Sequence, residues 1–434
     1  MTVRFVSTRA LDGDTCTASD AIVRGLAPDG GLFVPVNMPV QDWRPEHVES
    51  LPAVAARFMR PFFDGDPLRD SLADICAEAF NFPVTIEPVD GDALSVLELF
   101  HGPTAAFKDF GARFLAACFQ RLEAAADAPL TILVATSGDT GGAVAAAFHQ
   151  RPGVAVDVLF PHGQVSPRQA QQLTCWGDNI RAFCVDGPFD ACQRLVKEAF
   201  VDPGLRERRR LSSANSINLG RLLPQAAYYV WASVRLAAQH QAPPSFIIPT
   251  GNLGNGLACV WAKRCGAPIG RIHFATNDNR SVPEFFSGTD WTPRASVTTL
   301  ANAMDVGNPS NMERLRAMFG DDDVVRASAS ASAIDDAAIR EQIAHDDKTR
   351  DQVFCPHTAT AMHAFDHHVT AGAKEQGPWV VVATAHPAKF ESVVEPLIGR
   401  AIDVPANLQA LLDKPSHSIR LSAQLDAFLQ HFPG

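Results

Sequence analysis

The sequence lacks any stretch of about 18 uninterrupted apolar residues, which is the length that a membrane-spanning helix needs. Its first ten residues contain no apolar core behind a basic leader. Positive charge is also scarce, with 37 Lys and Arg against 48 Asp and Glu and a net charge of −11. Such a surface repels nucleic acids and anionic lipids. We therefore predict a cytoplasmic protein that binds neither nucleic acid nor membrane.

Cysteine is present in nine copies, but no two of them form a Cys-x-x-Cys pair. A zinc ribbon or a redox dithiol would need such pairs, and the odd count is typical of reduced thiols. We predict that the cysteines are small buried hydrophobic residues. No metal site is predicted.

The composition indicates a globular α/β protein. The 434 residues are 46% hydrophobic and 20% charged, which is enough to fill the cores of two or three domains. Short apolar runs alternate with helical patterns, and such runs are typical of largely parallel strands that are buried on both faces. The clearest predicted strands are residues 130–135, 154–160, 246–249 and 380–383, and residues 95–100 form a further predicted strand.

Glycine-rich or polar turns follow several of these strands, at residues 137–142, 251–256 and 384–387. Ligands of α/β proteins bind at the carboxyl ends of strands, so these turns are candidate site segments.

The chain is expected to divide into two parts. Residues 1–92 are predicted to form a mainly helical N-terminal domain, and residues 93–434 a catalytic region with a smaller α/β subdomain around 125–200. Residues 321–350 are polar and rich in alanine, and we predict peripheral helix and loop there, without strong strands.

Lys108 is the first candidate catalytic residue. It follows a predicted strand and lies near the start of a helical pattern of apolar residues, between Phe107 and Phe110. Apolar neighbours and the positive end of a helix dipole disfavour an ammonium group, which would lower the pKa of Lys108 toward nucleophilic use. The alternative is an ordinary surface lysine whose amine reaches solvent.

Two strand-to-helix turns are candidate anion sites. The turn at residues 251–255 offers backbone N–H groups to a phosphate at a helix N-terminus. Its glycine spacing matches neither the dinucleotide fingerprint nor a P-loop, and the alternative is a glycine-rich turn without a ligand. The turn at residues 135–142 offers hydroxyls, one carboxylate and N-terminal amides, which suits a ligand that carries a carboxylate.

These segments resemble, in order and over nearly the whole chain, those of the threonine synthase family. The segments that carry the resemblance are residues 7–9, 25–35, 101–109, 136–141, 213–218, 251–255, 302–306 and 384–390. One departure is Leu253, where many relatives carry phenylalanine. The resemblance implies a pyridoxal-phosphate enzyme of the tryptophan synthase β fold type. It also implies conversion of O-phospho-L-homoserine and water to L-threonine and phosphate.

The resemblance also implies roles for individual residues. Lys108 becomes the Schiff-base lysine of pyridoxal 5'-phosphate, and Thr384 faces the pyridine nitrogen. Asp139 lies near the ring, where a carboxylate must be protonated or hydrogen-bonded to be tolerated. The phosphate cradle consists of Gly251, Asn252, Leu253, Gly254 and Asn255. The substrate-side residues are Ser137, Asp139, Thr140, Ser216, Asn218 and Arg221, the last as a candidate for the leaving phosphate.

Several alternatives stay open from the sequence. His101 and His386 either assist proton transfer or are structural. A related phospholyase would release 2-oxobutanoate instead of threonine, and a non-catalytic pyridoxal-phosphate-binding protein would keep the fold without turnover. The protein is expected to act as a monomer or a homodimer.

Overall fold

Strands and helices alternate along most of the chain in this computed structural model, which describes residues 2–91, 93–123, 129–369, 371–374 and 376–432. The strands are β1 Phe5–Ser7, β2 Phe33–Pro35, β3 Thr85–Asp90, β4 Leu94–Glu98, β5 Leu130–Ala135, β6 Val154–Pro161, β7 Ile180–Asp186, β8 Arg210–Ser213, β9 Ser245–Pro249, β10 Ile272–Thr276, β11 Ser330–Ala333, β12 Trp379–Ala383 and β13 Ile419–Ser422.

The helices before β9 are α1 Ala18–Arg24, α2 Leu51–Met59, α3 Leu72–Ala79, α4 Lys108–Leu122, α5 Asp139–Phe148, α6 Pro167–Thr174, α7 Phe189–Val201, α8 Pro203–Arg208, α9 Leu219–Leu222 and α10 Ala226–His240. The helices after β9 are α11 Gly254–Arg264, α12 Ser281–Phe286, α13 Asn311–Phe319, α14 Asp322–Ser328, α15 Asp336–Arg350, α16 Pro356–His367, α17 Ala371–Lys374, α18 Glu391–Ile398, α19 Ala406–Leu412 and α20 Leu425–Leu429.

Two sheets organise the described part of the chain. The larger has the strand order β11-β10-β9-β12-β4-β3, and its pairs are parallel except for the antiparallel pair of β3 and β4. The smaller has the order β13-β7-β6-β5-β8 and is parallel throughout. Both match the prediction of an α/β fold with parallel strands, and the predicted strands coincide with β4, β5, β6, β9 and β12 to within two residues at each end.

Residues 321–350 contain a short strand that the sequence did not indicate. They were expected to form peripheral helix and loop without strong strands, and β11 pairs in parallel with β10 at the edge of the larger sheet. Its sequence, Ser-Ala-Ser-Ala, has little intrinsic preference for a strand. The pairing with β10 therefore decides its conformation.

The N-terminal part is mainly helical, as predicted, with α1 to α3 and a small antiparallel pair of β1 and β2. The predicted domain boundary at residue 92 stays a prediction. Strand β3, which lies before that boundary, is part of the larger sheet, and the smaller sheet takes β13 from the C-terminal end of the chain.

The cysteines follow the prediction, because all nine are free and buried. Within the ranges described above, no helix combines the length and the apolarity needed to cross a bilayer.

Candidate active site

A cavity lies where three parallel strands end, next to Ala135 of β5, Pro249 of β9 and Thr384 just after β12. Because the carboxyl ends of these strands carry the candidate turns, the fold gathers segments that are far apart in sequence. The predicted site residues that line the cavity are Lys108, Ser137, Asp139, Thr140, Ser216, Arg221, Gly251, Asn252, Leu253, Gly254, Asn255 and Thr384.

Lys108 is the first residue of α4, and its side chain is 14% exposed. Its Nζ lies 5.3 Å from the centre of the Phe107 ring. Burial lowers the pKa of Lys108 to about 8, against the opposing effect of Asp139. The predicted direction of the shift is thus confirmed, and a larger fraction of this amine is uncharged near neutral pH than for an exposed lysine.

Asp139 begins α5 and lies between two lysines. Its Oδ1 is 2.8 Å from Nζ of Lys389, and its Oδ2 is 3.9 Å from Nζ of Lys108. Burial opposes the charge of Asp139, but the two ammonium groups outweigh burial and hold the pKa of this carboxyl well below its usual range. The carboxylate is thus tolerated through an ion pair with Lys389, a residue to which the sequence assigned no role.

The turn at residues 251–255, called here the glycine turn, leads directly into α11. A Cβ on Gly251 would lie 2.6 Å from Cα of Met304, so only glycine fits there. A Cβ on Gly254 would lie 3.3 Å from Cβ of Ser216, which is tight. Leu253 adopts a left-handed conformation with φ of 60° and directs the chain into the helix. This helix start forms one wall of the cavity.

Asn255 in the glycine turn is held by the only two tyrosines of the chain. The hydroxyls of Tyr228 and Tyr229 donate to its Oδ1 at 2.6 and 2.8 Å. Its Nδ2 is buried and has no hydrogen-bond partner among the residues that the structure describes, which is costly unless a ligand accepts from it. No local sequence pattern indicated this arrangement, because Tyr228 and Tyr229 lie on a separate helix, α10.

Ser216 and Arg221 line another part of the cavity wall. The Oγ of Ser216 accepts a hydrogen bond of 2.6 Å from Nδ2 of Asn252, which ties it to the glycine turn. Arg221 is buried and its Nη1 donates to the carbonyl of Ala214, but its Nε has no partner among the described residues. Burial lowers the pKa of Arg221 to about 10, so it remains a cation at neutral pH.

Asn218 is the one predicted site residue that does not line the cavity. Its Nδ2 donates to the carbonyls of Ile22 and Ser213, both at 2.9 Å, and its Oδ1 accepts from the N–H of Gly220 at 2.8 Å. The side chain therefore caps α9 and joins it to α1. No polar atom of this amide remains for a ligand.

The histidines at the site differ from the two that the sequence singled out. His101 and His386 lie outside this cavity, and Nε2 of His101 is 2.7 Å from the Glu98 carboxylate. His357, which the sequence did not single out, lines the cavity and accepts from the N–H of Ala303 at 3.1 Å. Burial lowers the pKa of His357 to about 4, so it is neutral at physiological pH. Its position on α16, far along the chain, explains why no local pattern marked it.

These residues fit pyridoxal phosphate. The start of α11 and the unpartnered Nδ2 of Asn255 suit a phosphate, and the buried amine of Lys108 suits an aldehyde. Thr384 adds a neutral hydroxyl-bearing side chain to the wall, and its carbonyl accepts from the N–H of Phe107 at 2.8 Å.

Comparison with known protein families also indicates a pyridoxal-phosphate enzyme. Residues 88–385 match the family described as pyridoxal-phosphate dependent enzyme, residues 4–80 the threonine synthase N terminus, and residues 358–431 the threonine synthase C-terminal family. The threonine synthase of Escherichia coli strain K12 is 38% identical over 414 residues, which cover 94% of each chain. The chain belongs to the threonine synthase family. It is a pyridoxal-phosphate-dependent lyase, as predicted from the sequence.

Further relatives agree with this assignment. The threonine synthase of Serratia marcescens is 37% identical over 96% of each chain. The crystal structure of E. coli threonine synthase superposes with a TM-score of 0.88 at 35% identity, over 99% of each chain. A structure of pyridoxal-phosphate-bound threonine synthase from Brucella melitensis gives a TM-score of 0.89 at 32% identity, over 99% of this chain and 98% of the other. The predicted fold type and cofactor are thus confirmed.

Proposed function

We propose that this enzyme converts O-phospho-L-homoserine and water to L-threonine and phosphate, and that Lys108 is its catalytic residue. The observation that carries the proposal is the buried amine of Lys108 in a cavity that also contains the glycine turn and the cationic Arg221. The threonine synthases to which the chain is similar add support from sequence.

The cofactor, when bound, supplies an electron sink for the negative charge that develops at Cα of the substrate. Lys108 would hold the cofactor in the resting enzyme, and its amine would be free for proton transfer once the substrate is bound. The freed amine of Lys108 then removes the proton from Cα and carries a second proton from Cβ, so that phosphate leaves from the γ-carbon. The terminal carbon then takes up a proton, water adds at Cβ, and a proton returns to Cα.

The substrate carries two anionic groups, and the cavity offers two regions for them. The turn at residues 136–140, called here the acidic turn, presents Ser137 and Thr140 at the start of α5, where a carboxylate is favoured. Ser216 and Arg221 are proposed to receive the substrate phosphate, because Arg221 is a buried cation with an unpaired Nε. Asn218 is left out of this proposal because its amide is fully engaged elsewhere.

The experiment that tests the proposed reaction follows three products at once. Purified protein loaded with pyridoxal phosphate is incubated with O-phospho-L-homoserine, and phosphate, threonine and 2-oxobutanoate are measured together. Equal amounts of threonine and phosphate support the proposal. Phosphate with 2-oxobutanoate would indicate a phospholyase, and no product would indicate a non-catalytic binding protein; either result contradicts it.

We further infer that the enzyme works in the cytoplasm as a monomer or a homodimer, and that O-phospho-L-homoserine is its small-molecule partner. Size-exclusion chromatography with light scattering distinguishes the two oligomeric states from larger ones.

A further inference from the structure

A second buried lysine, Lys389, lies next to the catalytic cavity without lining it. It belongs to the short 3₁₀ turn Pro387–Phe390 that follows β12, and its side chain is 0% exposed. Its Nζ contacts Oδ1 of Asp139 at 2.8 Å and donates to the carbonyl of Thr104 at 2.9 Å. A buried ammonium group is costly unless it is paired, so the contact with Asp139 is what permits this lysine.

Asp139 divides its carboxylate between the two lysines unequally. The oxygen that faces Lys389 also accepts a hydrogen bond of 3.0 Å from Nε2 of Gln169, whereas the oxygen that faces Lys108 is 3.9 Å from that amine. The charge of Asp139 is therefore offset mainly by Lys389. Lys108 has a carboxylate neighbour, but not a strong partner that would fix a proton on its amine.

We propose that Lys389 is a positioning residue that acts through Asp139: its buried ammonium group neutralises the Asp139 carboxylate and thereby lowers the affinity of the Lys108 amine for its proton. This inference rests on the proposed role of Lys108 as the residue that attaches the cofactor. It assigns a role to a residue that does not line the cavity.

The other titratable groups around Lys108 are uncharged or have partners of their own, so they do not replace Lys389 in this role. Those that face it or its partners are Arg221 of α9, Asp109 of α4, and Cys355 and His357 at the start of α16. Burial raises the pKa of the Cys355 thiol and lowers that of His357, so both are uncharged at neutral pH. Asp109 accepts two hydrogen bonds from Thr104, and Arg221 is a cation with its own backbone partner. Lys389 is thus the group whose charge is directed at Asp139.

The test removes the charge of Lys389 and follows the proton near Lys108. In Lys389→Met, Asp139 and Lys108 lose a neighbouring cation, so the pair binds its last proton more tightly, whichever of the two residues holds it. We expect the visible absorbance band of the lysine-bound cofactor, which reports its protonated form, to persist to a pH higher by about one unit or more. The pH dependence of cofactor reattachment to cofactor-free protein should move in the same direction.

Lys374→Met is the matched control. Lys374 lies on α17, outside the cavity, with its Nζ 4.3 Å from the centre of the Phe365 ring. It should leave both pH profiles at their wild-type positions. Unchanged profiles in Lys389→Met as well, in a folded protein that binds the cofactor, would overturn the proposal.

A second comparison covers the case in which Lys389→Met does not fold. Asp139→Asn removes the carboxylate and leaves Lys389 unpaired, so the Lys108 proton should be lost at lower pH than in wild type. Adding Lys389→Met to Asp139→Asn removes both charges and should shift the profile back up by about tenfold in proton affinity. Identical profiles for the single and the double variant would also contradict the proposal.

Failure of the proposed function gives a different result. If Lys108 does not attach the cofactor, Lys108→Ala keeps a lysine-bound cofactor that borohydride reduces, whatever Lys389→Met does. If Lys108 does attach it but Lys389 has no influence, Lys108→Ala loses that linkage and Lys389→Met leaves the pH profile unchanged.

Discussion

The two turns that line the cavity are built in different ways. In the glycine turn the supporting groups are neutral. The hydroxyls of Tyr228 and Tyr229 fix the amide of Asn255, and Nδ2 of Asn255 has no hydrogen-bond partner among the described residues. In the acidic turn the supporting groups are charged: Asp139 is paired with Lys389 and faces Lys108. Neutral, preorganised donors suit a phosphate that stays bound, since they require no proton exchange. Charged neighbours suit a place where a proton must move, since they set its affinity.

Removal of the Lys108 amine, which lies in the same cavity as both turns, should affect cofactor attachment and turnover together. Lys108→Ala should lose the borohydride-reducible link to the cofactor, and turnover should fall by about 10³-fold or more, because the same amine serves in attachment and in proton transfer. Absorbance after borohydride reduction and steady-state kinetics check this. A variant with a normal reducible linkage and normal turnover would exclude Lys108 as the catalytic residue.

A substitution of Arg221 tests where the phosphate group of the substrate binds. In Arg221→Met, which keeps much of the volume, preference for O-phospho-L-homoserine over homoserine in kcat/KM should fall by about 10- to 100-fold, because a charge-assisted contact to phosphate is lost. Measuring both compounds on one preparation cancels differences in the active fraction. An unchanged ratio would place the substrate phosphate elsewhere.

The glycine turn is tested by adding single methyl groups to it. Gly251→Ala directs its Cβ to within 2.6 Å of the backbone of Met304, whereas Gly254→Ala meets Cβ of Ser216 at 3.3 Å. We expect affinity for pyridoxal phosphate to fall by about tenfold or more in Gly251→Ala, and by less in Gly254→Ala, because only the first requires backbone movement.

Gly177→Ala is the control for these variants, since a Cβ there has no atom within 4 Å. Equilibrium titration with the cofactor gives the three affinities, and thermal unfolding without it shows whether the fold is kept. Equal affinities in all three variants would argue against the glycine turn as the phosphate site.

The two tyrosine hydroxyls that donate to Asn255 are expected to have a weaker influence on cofactor affinity. Tyr228→Phe and Tyr229→Phe each leave one hydroxyl on Oδ1, and the double variant leaves this buried oxygen without a donor, at a cost of about 1–3 kcal/mol. Cofactor affinity should therefore fall little in each single variant and by about tenfold in the double variant. The pH profile of the lysine-bound cofactor should stay unchanged, because the two hydroxyls donate to the neutral amide of Asn255 and not to Asp139. A shift in that profile would show that the two turns are not independent.

Much of this site could be predicted from local patterns. Strand β5 was predicted with its observed ends, and Lys108 was predicted at the start of an apolar helix with a lowered pKa. Both follow from a few adjacent residues. Strand β11 was missed because its sequence has little preference for a strand and only its pairing with β10 forms it.

The fold class could be predicted from apolar periodicity, and the family and its cofactor from the resemblance of ordered motifs, because both signals lie within short stretches of chain. Tertiary structure alone decided which polar atoms are paired and which are left for a ligand. In the folded chain Asn218 caps a helix, the hydroxyls of two tyrosines donate to one amide oxygen, and Lys389 forms an ion pair with Asp139. Hydrogen bonds and ion pairs of this kind join residues that are distant along the chain, and their strength depends on distance and burial, which sequence spacing does not specify.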